Sequence, residues 1–80
     1  MTAKQAVAER IKELLAERNI KVNAAANSAG ISPSTIYSIL NTKSKNPGII
    51  TLHEICDGLD ISLREFFDSP LFEDMEQAIK

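Results

Sequence analysis

Short polar side chains recur from position 32 to position 41, where the chain reads SPSTIYSILN. If this stretch is an α-helix, which turns about 100° per residue, Ile36, Ile39 and Leu40 lie on one apolar stripe. The opposite face then carries Ser34, Tyr37, Ser38 and Asn41, with Thr35 on the border. Hydroxyls, an amide and one tyrosine without a carboxylate can hydrogen-bond to an anionic surface. The alternative interpretation is an ordinary solvated helix face that binds nothing.

A polar, basic loop follows this helix and ends at Pro47-Gly48. It contains Thr42, Lys43 and Lys45, and the two ammonium groups are suited to contacting phosphates. An ordinary soluble loop is the competing interpretation.

Residues that could catalyse a reaction or bind a metal occur singly. His53 has no second histidine, cysteine pair or carboxylate cluster at ligand spacing, and Cys56 lies on an apolar stripe typical of a core. The acidic residues at positions 73, 74 and 76 are expected to solvate the outer face of a last helix. Because no phosphate-binding glycine loop, nucleophile elbow or catalytic carboxylate pair is present, the sequence predicts no enzyme, metal site or cofactor.

Length and composition limit the class of protein. Eighty residues, 44% of them apolar, fit one globular domain with a modest core. No apolar run approaches the ~20 residues of a membrane span, and the N-terminus lacks an apolar signal segment. The single cysteine excludes an internal disulfide. These features predict a cytoplasmic protein without a membrane segment.

The net charge of −2 is divided unevenly along the chain. Residues 1–50 carry seven lysines and arginines against three glutamates, a net charge of +4, whereas residues 51–80 carry two against eight, a net charge of −6. The basic N-terminal part can face phosphates while the acidic C-terminal part points away from them. An ordinary solvated surface with uneven charge is the alternative.

The polar helix needs a sharp turn before it. Ser32 is predicted to be its N-cap, accepting from the Thr35 amide, with Pro33 at the first helical position. Gly30 permits a left-handed turn after a preceding helix over about Asn23–Ala29. That helix is rich in alanine, so another helix can approach it closely.

Capping signals predict the remaining helices. Thr2 and Gln5 form a capping box that begins a helix to about Arg18. A second box, beginning at Thr51, predicts a helix to about Leu59, and a third, beginning at Ser62, predicts a short helix through Phe67. The residues expected to face the core in the first two of these helices are Val7, Ile11, Leu14, Leu15, Leu52, Ile55, Cys56 and Leu59, and the apolar residues of the third are Leu63, Phe66 and Phe67.

A last amphipathic helix is predicted from Ser69-Pro70 to the end of the chain. Its apolar stripe contains Leu71, Phe72, Met75, Ala78 and Ile79. The stripe either packs on its own domain, forms a dimer interface or holds a protein partner. The predicted fold is therefore all-α: five helices within residues 1–68 and a short sixth helix within residues 69–80.

From about Ile11 to Phe67 the chain resembles the Cro and phage-repressor type of helix-turn-helix proteins, the XRE family. The matching residues at the turn and the following helix are Ala29-Gly30-Ile31-Ser32, Ser34-Thr35-Ile36 and Asn41. The matching residues farther along are Lys45-Asn46-Pro47, the apolar positions Leu52, Ile55, Cys56 and Leu59, and Ile61-Ser62-Leu63 with Phe66-Phe67.

The resemblance implies a domain that binds duplex DNA, commonly as a dimer, with its third helix in the major groove. The positions it implies for base contact are those of Pro33, Ser34, Thr35 and Ser38. The positions it implies for backbone contact are those of Tyr37, Asn41, Thr42, Lys43 and Lys45.

Two departures from the family pattern change these expectations. The family often has threonine and glutamine at the start of the second helix, where this chain has Lys21 and Val22, so a phosphate contact there passes to Lys21 or Asn23 or is lost. Pro33 replaces a long polar reader and offers only apolar contact, for instance to a thymine methyl. We therefore expect specificity to depend on water bridges, DNA shape and half-site spacing.

The leading hypothesis is a small bacterial or phage transcriptional repressor that binds a pseudo-palindromic operator as a homodimer. The alternative is a protein-interaction module, such as the antitoxin partner of a toxin. In that alternative the partner is held through Leu71, Phe72, Met75 and Ile79.

Overall fold

The computed structural model describes residues 1–41 and 47–73 as one all-helical domain. Its five α-helices are α1 (Ala3–Arg18), α2 (Val22–Ala29), α3 (Pro33–Leu40), α4 (Ile49–Gly58) and α5 (Leu63–Phe67), and a 3₁₀ turn follows at Pro70–Phe72. The predicted five-helix, all-α class is confirmed. No helix within these described ranges is long and apolar enough to cross a membrane.

Helix α1 begins and ends as its sequence predicts. The Thr2 hydroxyl accepts from the Gln5 amide at 3.2 Å, and the Gln5 side chain accepts from the Thr2 amide at 2.9 Å. The helix ends at Asn19, which adopts a left-handed conformation at φ 53°. All four predicted inward residues are buried, so α1 presents one continuous apolar side to the rest of the domain.

The core lies where α2 packs against both α3 and α4, with α1 against α3. Ala25 and Ala26 are buried at the centre of this arrangement, and Ile36 of α3 is fully buried. Gly58, the last residue of α4, lies against Ala29, because a Cβ atom added to Gly58 would be only 2.7 Å from the Ala29 amide nitrogen. The small side chains of α2 therefore allow the close helix packing that the sequence predicts.

Helix α4 corrects one predicted boundary. The predicted capping box at Thr51 is wrong: the N-cap is Gly48, three residues earlier, and the helix begins at Ile49. Gly48 has an extended backbone, and its carbonyl accepts from the Leu52 amide at 3.1 Å, which closes the first turn. Thr51 is therefore inside the helix. The inward residues of α4 and its cap, from Leu52 to Leu59, are buried as predicted.

Helix α5 is held to α1 by one arginine. The Ser62 capping box is present, with its hydroxyl accepting from the Glu65 amide at 3.0 Å. From α1, Arg10 donates to the carbonyl oxygens of Phe66 at 2.7 Å and of Glu65 at 2.8 Å. These carbonyls are among those that the end of a short helix leaves without intrahelical partners, so Arg10 fastens α5 to the domain.

Beyond α5, the chain makes the 3₁₀ turn in place of the first turn of the predicted sixth helix. The Ser69 hydroxyl caps this turn by accepting from the Leu71 amide at 3.3 Å. Phe72 packs against the core, with its ring centroid 4.9 Å from that of Phe67 and 6.1 Å from that of Phe66. Met75, Ala78 and Ile79 lie outside the described residues.

Candidate nucleic-acid interface

The turn between α2 and α3 is built by Gly30. Its φ of +71° is the left-handed conformation that glycine adopts without steric cost. The Gly30 amide donates to the Asn27 carbonyl at 3.2 Å, and the Ile31 amide donates to the Ala26 carbonyl at 3.0 Å. This pair of bonds is a Schellman motif, which satisfies the last carbonyls of α2 and directs the chain into α3.

Helix α3 begins at Pro33 as predicted, but Ser32 caps it differently. The Ser32 hydroxyl accepts from the Ser34 amide at 3.1 Å, whereas the Thr35 amide donates to the Ser32 backbone carbonyl at 3.0 Å. The predicted Ser32–Thr35 side-chain bond is therefore wrong. An N-cap oxygen can accept from either the second or the third helical amide. Here the second amide is used, and the Ser32 and Ser34 hydroxyls are also in contact, at 2.6 Å.

The two faces of α3 lie as the helical periodicity predicts. Ile36 and Ile39 are buried, whereas Ser34, Tyr37 and Ser38 are exposed, with Tyr37 keeping 49% of its surface accessible. Among the other residues of interest, Pro33 and Asn41 are exposed and Thr35 is half-buried. The expected DNA-contact residues of α3 and its C-cap are therefore accessible to solvent, Thr35 only in part.

The predicted backbone-contact residues are described only in part. Lys21 and Asn23 are exposed at the start of α2, and Lys21, as the N-cap, has no side-chain bond to the helix. Val22 is half-buried and packs against the core, so it is not part of the exposed surface. Thr42, Lys43 and Lys45 lie outside the described residues.

The absence of carboxylates extends well beyond α3. The 36 residues between Glu17 and Glu54 contain no aspartate or glutamate, and they include Arg18 and Lys21 in addition to the two loop lysines. This stretch spans α2, α3 and the first half of α4. An anionic ligand that approaches the exposed side of α3 therefore meets no acidic side chain from these elements.

Two exposed isoleucines were missed by reasoning from the sequence. Ile49 and Ile50 keep 59% and 74% of their surface accessible at the start of α4. They were expected to precede the helix, because Thr51 offered a good capping box. The signal that locates them correctly is Pro47-Gly48, since glycine is an acceptable N-cap and proline precedes it without needing an amide.

The single histidine and cysteine have the environments expected of ordinary residues. His53 is exposed and Cys56 is buried. Burial raises the pKa of the Cys56 thiol, with nearby Asp57 acting in the same direction and Arg10 opposing both. Within residues 1–41 and 47–73, no three histidine, cysteine or acidic side chains are grouped closely enough to hold a metal ion.

Two helices joined by a tight glycine turn, the second exposing a polar face, define a helix-turn-helix DNA-binding domain. The sequence model of the Cro/C1-type helix-turn-helix DNA-binding domain matches residues 10–70. The chain belongs to this family, as its resemblance predicted, and it is a DNA-binding transcriptional regulator. Comparison with curated proteins gives no significant match.

Solved structures of similar proteins agree with this assignment. Prophage Lp1 protein 11 superposes with a TM-score of 0.80 and 33% identity over 94% of this chain and 99% of its own. An HTH_3 family transcriptional regulator from Vibrio cholerae gives 0.77 and 31% over 85% of this chain and 38% of its own. A Y37F mutant of the restriction-modification controller protein C.Esp1396I gives 0.74 and 26% over 84% and 86%.

Proposed function

We propose that the chain is a sequence-specific repressor that binds a pseudo-palindromic operator as a homodimer. The observation that carries this proposal is the exposed, carboxylate-free face of α3, which begins at a capped N-terminus after the Gly30 turn. In helix-turn-helix proteins the N-terminal end of the second helix enters the major groove. Here that end presents Pro33, Ser34, Thr35 and Ser38 to the bases.

The sugar-phosphate backbone is contacted by residues on either side of this end. At the start of α2, Lys21 and Asn23 are accessible, and the first amides of this helix have no capping side chain. Helix N-termini of this kind attract phosphate oxygens. The other proposed backbone contacts are Tyr37, Asn41, Thr42, Lys43 and Lys45.

The short base-facing side chains define how sequence is read. Serine and threonine make single hydrogen bonds and lack the bidentate pairing that makes arginine or glutamine discriminating. Sequence preference therefore arises from several weak contacts, ordered water, DNA shape and the spacing between half-sites. In a dimer the two α3 helices read half-sites about one helical turn apart, ~34 Å.

Selection of bound duplexes from a random pool, at stated salt, tests this proposal and reports the symmetry of the site. Replacement of Ser34 and Ser38 by alanine should change the sequence preference in gel-shift titrations. Replacement of Lys43 and Lys45 should weaken binding to all sequences alike and reduce the salt slope by roughly 0.9 per lost phosphate contact. Unchanged affinity in both double variants would contradict the groove assignment.

Homodimer binding has a separate test. Insertion of five base pairs between the selected half-sites turns one half-site to the opposite side of the duplex, so cooperative binding should be lost. Insertion of ten base pairs restores the facing but moves the half-sites to about two helical turns, ~68 Å, apart, so binding by one dimer should be lost there as well. Equal affinity for all three spacings, with one protein chain per duplex, would argue against a dimer.

The alternative of a protein-interaction module gains no support from the described part of the last segment, because Phe72 packs against its own domain. Deletion of residues 74–80 tests it directly. Loss of dimerisation alone agrees with a simple repressor. Loss of binding to a protein partner, with DNA affinity intact, would add a second role.

A further inference from the structure

Two serine hydroxyls at the start of α3 form one hydrogen-bonded unit. The Ser32 and Ser34 Oγ atoms are 2.6 Å apart, and the Ser34 amide donates to the Ser32 Oγ at 3.1 Å. We propose that Ser32 is a positioning residue for DNA recognition, which holds the Ser34 hydroxyl as a hydrogen-bond donor toward a base acceptor in the major groove. This inference rests on the proposed function, because it names how one residue of that site acquires its preference.

Either hydroxyl could donate in the Ser32–Ser34 bond, and the neighbouring amide favours Ser32 as the donor. The Ser34 amide can only donate, so it occupies one lone pair of the Ser32 hydroxyl. When Ser32 then donates its own proton to Ser34, the Ser32 hydroxyl accepts one bond and gives one, which is the cooperative arrangement, and the Ser34 hydroxyl accepts one. The Ser34 proton is left to point away from the helix, toward solvent or DNA.

The opposite direction leaves a poorer match to DNA. If Ser34 donated to Ser32, Ser34 would present only lone pairs to the groove, and the Ser32 hydroxyl would accept two bonds. Guanine N7 and O6, adenine N7 and thymine O4 all present acceptors in the major groove, where the surroundings are negative. A donor at Ser34 is favoured there. The predicted partner of Ser34 is therefore one of these acceptors and not an amino group of cytosine or adenine.

Coupling to Ser32 also restricts an otherwise mobile hydroxyl. An exposed serine can populate several rotamers, and ordering it on binding has an entropic cost. Since the Ser32 contact already selects one rotamer in the free protein, less freedom is lost when DNA binds. Removal of the Ser32 hydroxyl should therefore weaken the Ser34 base contact even though Ser32 itself touches no base.

The experiment measures affinity for all four base pairs at each position of the selected operator. Ser34→Ala should lose roughly 3- to 10-fold discrimination at one position, the effect of one neutral hydrogen bond. Ser32→Ala and Ser32→Gly should lose discrimination at the same position, whereas Ser32→Thr, which keeps the hydroxyl, should retain it. Glycine is included because it is a tolerated N-cap, so the start of α3 is kept while the hydroxyl is removed. Ser38→Ala is the control and should act at a different position.

Base analogues test the direction of the bond. At the affected position, 7-deazapurine, 6-thioguanine or 4-thiothymine should weaken wild-type binding but not that of Ser34→Ala. Sensitivity to deletion of a base amino group instead would overturn the donor assignment. Equal weakening of Ser32→Gly at every base pair, with discrimination intact, would show a helix cap only and overturn the positioning role. Failure of the wild-type protein to select any duplex would instead refute the proposed function itself.

Discussion

The contact between Gly58 and Ala29 makes a quantitative prediction about how α4 is fixed against the helix-turn-helix. A Cβ atom at position 58 would be 2.7 Å from the Ala29 nitrogen, 2.9 Å from its Cα and 3.0 Å from its Cβ. Two of these three atoms are backbone, so no side-chain rotation can relieve the contact, and α4 must move away from α2. Gly58→Ala is therefore expected to destabilise the domain.

Opposing effects determine the size of this change. Overpacking of a closely packed site costs about 1–3 kcal/mol. Alanine is favoured over glycine inside a helix by up to ~1 kcal/mol, and by less at the last helical residue. The net loss should be about 1 kcal/mol or more, which lowers Tm by roughly 4–8 °C per kcal/mol in a domain of this size.

Thermal and urea unfolding followed by circular dichroism measure this loss. Gly48→Ser is the matched control, because a Cβ atom at Gly48 meets nothing within 4 Å and serine is a good N-cap. That variant should be as stable as the wild type or slightly more stable. If Gly58→Ala were equally stable or stabilising, the close approach of α2 and α4 described above would be incorrect.

Three further predictions concern single side chains. Arg10→Lys should lower the free energy of unfolding by about 1–3 kcal/mol in urea titrations. Arginine bonds the two carbonyl oxygens from two nitrogens of one planar fork, which a lysine ammonium lacks. Unchanged stability would contradict the role given to Arg10. Since burial raises the pKa of the Cys56 thiol, this thiol ionises in the unfolded chain at a lower pH than in the folded protein. The stability advantage of the wild type over Cys56→Ala should therefore shrink as pH rises above about 9. A constant difference in stability would argue against a raised pKa. If Pro33 contacts a thymine methyl, replacing that thymidine by deoxyuridine, which lacks the methyl group, should weaken wild-type binding roughly 3- to 4-fold. The same replacement should leave the affinity of the Pro33→Gly variant unchanged in gel-shift titrations.

Local signals predicted most of the elements correctly. The Thr2 and Ser62 capping boxes and the Gly30 turn depend on residues within five positions of one another, so the sequence contains all the partners needed. The exposed side of α3 followed in the same way from helical periodicity. For these features, tertiary packing strengthens what the local sequence already favours.

Predictions failed where two local solutions competed. Both Gly48 and Thr51 are acceptable N-caps, and propensity alone favours threonine with its downstream glutamate. The structure uses Gly48, and this choice adds Ile49, Ile50 and Thr51 to the helix. The Ser32 hydroxyl could accept from the Ser34 amide or from the Thr35 amide. It accepts from the Ser34 amide and also contacts the Ser34 hydroxyl.

Contacts between distant residues left no signal in a single sequence. Arg10 lies 56 positions before Phe66, and nothing in the pattern of α1 distinguishes it from a solvated arginine. The approach of Gly58 to Ala29 also depends on how three helices pack. The roles of Lys43 and Lys45 in DNA binding remain predictions from the family resemblance.

The most direct test of the central claim is amide chemical-shift mapping of the ¹⁵N-labelled protein during titration with its selected duplex. The account predicts that the largest changes cluster at the start of α2 and along Ser32–Asn41, with α5 and the 3₁₀ turn little affected. Titration with an unrelated duplex at the same salt should produce smaller chemical-shift changes. Changes concentrated on α5 and the acidic residues after it, with α3 unaffected, would contradict the claim that the exposed face of α3 binds DNA.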